Sequence, residues 1–306
     1  MYRAYLACPP CRSGGLLSYR KSRRTPGSGI HPGTAGQGGG RWRSIWWSRH
    51  LRNRSAIETP VKFAANHLVH ASGGLGYHLR ALRYRQTLWA PFRATLAGWI
   101  ERWQPPSRRL LVVGPSAGHT LPEGLFARFD EVIALEPDPL ARLILRRRQA
   151  GAPLRFESFD CLSTNEGLAA LRDRFGGAAV LFCNVLGQVD CPDPAGWRVS
   201  LAARLGGCHW ASWHDVVSSR RPPRHLAARQ VNAPEELEAT LARFWGGGEV
   251  SLVDHRTFRL AGLEPHAYAI WPLTPRDYHL IEWTQHGGAP APGAPVTAAC
   301  PPRRNA

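Results

Sequence analysis

Residues 109–138, RLLVVGPSAGHTLPEGLFARFDEVIALEPD, constrain this chain more than any other stretch. An apolar run (110–113) stops at Gly114, the small-residue loop GPSAGHT follows, and a second apolar run (132–135) ends on Glu136. Continuous apolar runs bounded by turn residues suit central parallel strands covered on both faces. An acid about 20 residues past a glycine turn, at the tip of the next strand, is the layout that holds an adenosine-type cofactor through its ribose hydroxyls. Thr120 and Glu123 stand at capping-box spacing with Pro122 between them, which predicts a helix from about Leu121 whose first amides face the loop.

The rest of the chain continues the alternation. Asp138-Pro139 predicts a capped helix start, with Leu140, Leu143 and Ile144 as its buried face and Arg146-Arg147-Arg148 complementing the dipole of its last turn. Further strands are expected at 154–159 (ending on Asp160), 178–182 (with Asn184 at its tip) and 208–213 (running into His214-Asp215). Helices are expected around Leu168, Leu171 and Phe175, around Trp197, Leu201 and Leu205, and at 234–244. The last two strand-like runs, 250–260 and 278–283, have no helix between them and are expected to pair antiparallel at one edge of the sheet. Ahead of the first strand, apolar residues from Tyr77 to Trp103, Leu79 and Leu82 among them, make a helical stripe that Pro91 breaks in two. Gly73-Gly74-Leu75-Gly76 before it is expected to be a loop. Core packing is the expectation for Trp89, Phe92 and Trp99, while Tyr77, His78, Arg80 and Arg83 suit a cover over a ligand. Trp210, Trp213, Trp271 and Trp283 fit a pocket wall or the core equally well.

Charge divides the 306 residues. The formal net charge is +17, but residues 1–60 hold eleven basic residues against Glu58 alone, and the tail 287–306 adds Arg303 and Arg304, leaving only +5 for 61–286. A nucleic-acid partner is therefore expected, if at all, through the leader, whose RWRSIWWSR cluster (41–49) also suits an anionic membrane surface. The leader is poor in periodic apolar residues and is expected to be disordered, as is the Pro/Ala/Gly-rich tail 287–306. The resulting division is leader 1–60, helical segment 61–106, α/β domain 107–286 and tail. Seven scattered cysteines (8, 11, 161, 183, 191, 208 and 300) argue for a reducing, cytoplasmic setting. The lone CxxC at Cys8 and Cys11 lacks the further ligands zinc needs, so no metal site is expected. No stretch reaches the roughly 20 apolar residues of a membrane span.

Five βα units closed by an antiparallel last strand, with a glycine loop after strand one and an acid ending strand two, resemble the class I S-adenosylmethionine-dependent methyltransferases over residues 109–285. The resemblance implies a doubly wound, mostly parallel, seven-stranded Rossmann-like α/β sheet with its last strand antiparallel. It implies S-adenosylmethionine as cofactor, held by Gly114, Ser116, Ala117 and Gly118, with Glu136 on the ribose and Asp160 beside the adenine. Asn184 would then stand where the methyl acceptor meets the sulfonium. His214 and Asp215 are further catalytic candidates, His for its near-neutral pKa and Asp to orient it. Neighbours on a strand point opposite ways, so these two couple directly only across a bend. His279 and Glu282, at odd separation, fall on opposite faces and are weaker candidates. Where the family's loop is an acid followed by x-Gly-x-Gly-x-Gly, this chain has VVGPSAG; where many amino-group methyltransferases carry Asn/Asp-Pro-Pro-Tyr/Phe, it has NVLG. A nicotinamide-dependent oxidoreductase shares the Glu136 logic but normally has G-x-G-x-x-G in its first turn. A non-catalytic Rossmann-like binding module using the basic leader is the third reading. No motif names the acceptor, whether a small molecule or another class, or the oligomeric state.

Overall fold

The computed structural model describes residues 16–18, 74–159, 161–162, 165–186, 194–231, 235–246, 250–260 and 266–287. The leader apart from 16–18, the tail beyond Gly287, and Asp160 lie outside the described residues.

Five apolar runs form the parallel half of one sheet: β2 (Arg109–Val113), β3 (Glu131–Leu135), β4 (Leu154–Glu157), β5 (Ala179–Cys183) and the long β6 (His209–Ser219). Their spatial order is β4-β3-β2-β5-β6, so the chain switches direction of travel between β2 and β5. Ligand crevices of open α/β sheets lie at such a switch, beyond the carboxyl ends of the strands. The sheet continues with β10 (Asp277–Gly287) and β9 (His266–Thr274), where β10 is antiparallel to both β6 and β9. The last strand is thus inserted between two others, and the seven strands β4-β3-β2-β5-β6-β10-β9 make the Rossmann-like core. Three short strands extend it: β7 (Arg229–Val231) pairs with β9, β8 (Ser251–Asp254) pairs with the far end of β6, and β1 (Leu16–Ser18) pairs with β8.

This corrects the expectation for the closing pair. The partner of β10 is residues 266–274 rather than 250–260, and β10 lies inside the sheet rather than at its edge. The HAYAIWPLT run carries Pro272, which breaks the sequence signal for a strand. In the sheet, Pro272 sits opposite Tyr278 at a register shift, where a missing N–H is tolerated.

Helices cover both faces. α1 (Gly74–Tyr84) and α2 (Ala90–Arg102) place Trp89, Phe92, Leu96, Trp99 and Trp103 on one face. There Phe92 stacks on Trp271 (ring centroids 5.2 Å apart) and Trp99 on Trp283 (6.0 Å). α4 (Asn165–Arg174) and α5 (Pro194–Leu205) cover the other face, where Trp210 packs edge-on against Phe182. The tryptophans near the strand ends are therefore core. α6 (Leu237–Trp245) closes a third cluster with Val216, Tyr268 and Leu280.

Local expectations fail in three places, each for a physical reason. No α-helix follows β2: Gly124 adopts φ +77°, a left-handed conformation that interrupts a helix, and only a 3-10 turn at Phe126–Arg128 forms. Residues 74–76 belong to α1 rather than to a loop, and its buried face is Gly74, Tyr77, His78 and Ala81, so Leu79 and Leu82 point to solvent. α3 (Pro139–Arg148) buries Ala141 and Leu145 while Leu143 is exposed, because the run LARLIL is apolar on most sides and tertiary packing chooses the face. Its Asp138 cap is as expected, accepting the Leu140 N–H at 2.8 Å.

Candidate functional site

The glycine loop is clasped by the acid at the tip of β3. Glu136 is 1% exposed, and its two carboxylate oxygens accept the Ser116 N–H at 2.7 Å and the Asp138 N–H at 3.0 Å. Burial pushes its carboxyl up to about 7, and the Asp138 and Ser116 amides pull downward without cancelling that effect. Gly114 donates to Leu135 O at 2.9 Å, which ties the start of the loop to the end of β3. The turn itself needs glycine: Gly114 has φ +64° and a Cβ there would lie 2.1 Å from Val185 Cγ1, while Gly118 has φ +65° and a Cβ would lie 2.6 Å from Leu145 Cδ1. Ser116 shares the left-handed conformation (φ +50°), and Ala117 is fully buried. Five of the six expected cofactor-side residues are thus gathered at one place; Asp160 lies outside the described residues.

α1 roofs this loop. Tyr77 and His78 are buried, and Tyr77 stacks on Trp89 at 5.8 Å. Burial pushes the Tyr77 hydroxyl pKa well up, with Cys183 and Glu136 adding to the rise and Arg80 opposing it, so Tyr77 stays neutral. His78 Nδ1 lies 3.2 Å from His119 Nε2, and His78 Nε2 stands 3.9 Å from the Asp138 carboxylate. Burial, then the Arg148 charge, drive His119 down to about 3, so His119 is uncharged near neutrality.

The second half of the site stands at the ends of β5, β6 and β10. Asn184 follows β5 with φ +53°, a conformation Asn tolerates better than most residues. It exchanges two hydrogen bonds with Asp215: its Nδ2 donates to Asp215 Oδ2 at 3.1 Å, and the Asp215 N–H donates to Asn184 Oδ1 at 2.9 Å. The other Asp215 oxygen lies 3.1 Å from His279 Nδ1. Burial alone would raise the Asp215 pKa, but His279 above all, with His255 and Asn184, outweighs it and holds the carboxyl at about 2. For His279 burial works downward and Asp215 outweighs it, leaving the imidazole above its ordinary value. A bulge makes this meeting possible: β10 pairs Leu280 with Val217 but Ile281 with Asp215, leaving Val216 as the extra residue on β6.

His214 and Asp215 do not couple. His214 is fully buried on the opposite face, with Ser212 Oγ at 3.0 Å, Thr257 O at 3.3 Å and Glu282 Oε1 at 3.4 Å. Glu282 there also accepts the Tyr268 hydroxyl (2.9 Å) and the Arg259 N–H (2.8 Å). The odd spacing of His279 and Glu282 indeed separates them, one to each polar cluster. His255 is the residue that sequence reasoning passed over, and His279 it ranked only among the weaker candidates. Parity on β10 placed His279 on a face, but nothing in the spacing told which strand would lie alongside.

No family model matches the chain, and no curated protein matches it. Solved structures similar to it include DhpI in complex with SAH (17% identity, 71% of this chain and 94% of that one, TM-score 0.35). An amino pentose methyltransferase of calicheamicin biosynthesis from Micromonospora echinaspora, bound to SAM, gives 19% identity over 68% and 96%, with a TM-score of 0.31. The N-methyltransferase NodS from Bradyrhizobium japonicum gives 14% over 63% and 96%, with a TM-score of 0.35. At such scores the fold is carried by the strand order above rather than by the likeness. Among the described residues no helix is long and apolar enough to cross a membrane.

Proposed function

We propose that this chain is an S-adenosylmethionine-dependent methyltransferase that transfers the methyl group by in-line displacement. The observation that carries the reading is the Glu136 clasp: a buried carboxylate at the tip of the second core strand, holding a turn in which two glycines take a left-handed conformation and press on Val185 and Leu145. The residues fit the cofactor. Each Glu136 oxygen accepts one amide and keeps a lone pair for a ribose hydroxyl. Gly114, Ser116, Ala117 and Gly118 supply the close backbone approach. When bound, the sulfonium brings its own leaving group, so the chain's task is chiefly positioning.

The missing helix after β2 favours this cofactor over a nicotinamide dinucleotide. A pyrophosphate rests on the N-terminal amides of that helix. This chain offers a 3-10 turn instead, and S-adenosylmethionine has no phosphate to place there. On the acceptor side, Asn184 acts as a positioning residue whose amide is spent on Asp215, and the Asp215–His279 pair faces the incoming nucleophile. His214, sealed on the other face, is proposed to serve the packing of β6 on β10.

Calorimetric titration with S-adenosylhomocysteine tests the reading, and pH gives it a signature. The ribose hydroxyls donate, so they need Glu136 ionised. Its pKa of about 7 means that a proton occupies the carboxyl as pH falls through neutrality. Affinity is therefore expected to drop roughly tenfold between pH 8 and pH 6. No heat at either pH sinks the proposal, and a pH-independent affinity removes Glu136 from it.

A further inference from the structure

We propose that Asp215, His255 and His279 form a binding site for a divalent first-row transition-metal ion, of the zinc or iron(II) type. One potential ligand atom from each lies within 4.8 Å of the other two. Ligands about 2.0–2.2 Å from a shared ion stand roughly 3–4 Å apart, so small side-chain movements close the set. Two imidazoles and a carboxylate are the donors such ions take, and three protein ligands leave positions open for a further ligand.

The three residues come from separate elements: Asp215 from β6 beside its bulge, His255 from the turn after β8, and His279 from β10. Two of the three are held by outer hydrogen bonds, as metal ligands are. Asn184 Nδ2 holds the Asp215 oxygen that faces away from His279, and Ser218 Oγ lies 3.3 Å from His255 Nε2, while the His279 ring lies tilted beside Trp271 with centroids 6.3 Å apart. A proton-accepting dyad would need only Asp215 and His279. The second imidazole, lying nearly parallel to the first (19°, centroids 6.2 Å), has a purpose if both hold an ion. Among the described residues no other three such donors lie this close together, those around Glu282 on the opposite face included.

Placing this ion beside the methyl acceptor rests on the methyltransferase reading; the ion site itself does not. An oxygen or sulfur nucleophile on the open positions would be held and its proton made more acidic.

Tag-free full-length protein, dialysed against chelator, is titrated with cobalt(II) and followed by visible absorption, with zinc added to displace it. The expected result is a saturable band at one equivalent that zinc abolishes. His255→Ala and His279→Ala lose the band at equal cobalt, whereas His225→Ala, at an exposed histidine, keeps it. A wild type with no saturable band overturns the site, as does a band unchanged in both variants. Circular dichroism follows folding, and Asp215→Asn, which keeps side-chain volume, stands in for a variant that unfolds. S-adenosylhomocysteine is titrated in parallel. Heat without a cobalt band overturns the metal alone, and a cobalt band without heat overturns the methyltransferase alone.

Discussion

Replacing Glu136 with glutamine is expected to weaken S-adenosylhomocysteine binding by roughly a hundredfold or more while the protein stays folded. One ribose hydroxyl then meets an NH2 instead of an acceptor and the other keeps only a neutral acceptor, and bonds to charged groups contribute about 1.5–3 kcal/mol each. Glutamine is preferable to alanine because Glu136 also receives the Ser116 and Asp138 amides, and an empty site would orphan both. The glutamine oxygen still accepts one of them, while its NH2 faces the other donor, a mismatch of about 1–3 kcal/mol. Against this, a neutral side chain is relieved of the burial that raises the carboxyl to about 7. A modest fall in melting temperature with abolished calorimetric heat is the combined expectation. Wild-type affinity in Glu136→Gln would remove the residue from the cofactor site.

The second large effect is expected at Gly114. Alanine there meets two independent obstacles: a backbone at φ +64° and a Cβ placed 2.1 Å from Val185 Cγ1. The left-handed conformation costs roughly 1–2 kcal/mol for a residue with a Cβ. The overlap adds about 1–3 kcal/mol, because valine has few χ1 rotamers to move to. Gly114→Ala is therefore expected to lose about 2–5 kcal/mol in denaturant unfolding. The double variant Gly114→Ala/Val185→Ala separates the two causes, recovering the overlap but not the backbone cost. Stability equal to wild type in Gly114→Ala would show that the turn tolerates a side chain and that the cradle yields to it.

Much of the frame was legible in the sequence because continuous apolar runs next to turn residues can hardly be anything but buried strands. That logic placed β2 to β6, put Glu136 at a strand tip and put Asp138 at a helix cap. The helix after β2 was misjudged because capping spacing at Thr120 and Glu123 is a local signal, and Gly124 in a left-handed conformation overrides it one residue later. The acceptor side was least legible. Asp215 and Asn184 could be singled out, each at the end of a strand, but their mutual hydrogen bonds and the approach of His279 depend on which strand lies beside β6. Strand neighbours and a one-residue bulge are properties of topology, and no spacing along one strand encodes them. His255 enters from the turn after β8, where no period announces it.

The inserted last strand also sets the order in which the protein can be completed. Until β10 arrives, β6 presents an unpaired edge of eleven residues, WASW among them, on a nearly finished parallel sheet. Such an edge invites pairing with another chain. During synthesis, the parallel half emerges first, and β10 then adds to the open edge of β6, carrying β9 with it as a hairpin. Pairing of strands this far apart in the chain is slow relative to local pairing. Because β10 brings His279 to one face and Glu282 to the other, both buried polar clusters are finished in the same event. The nascent molecule thus carries its glycine loop and clasp early and its acceptor side late, and chaperone dependence should concentrate in the interval between them.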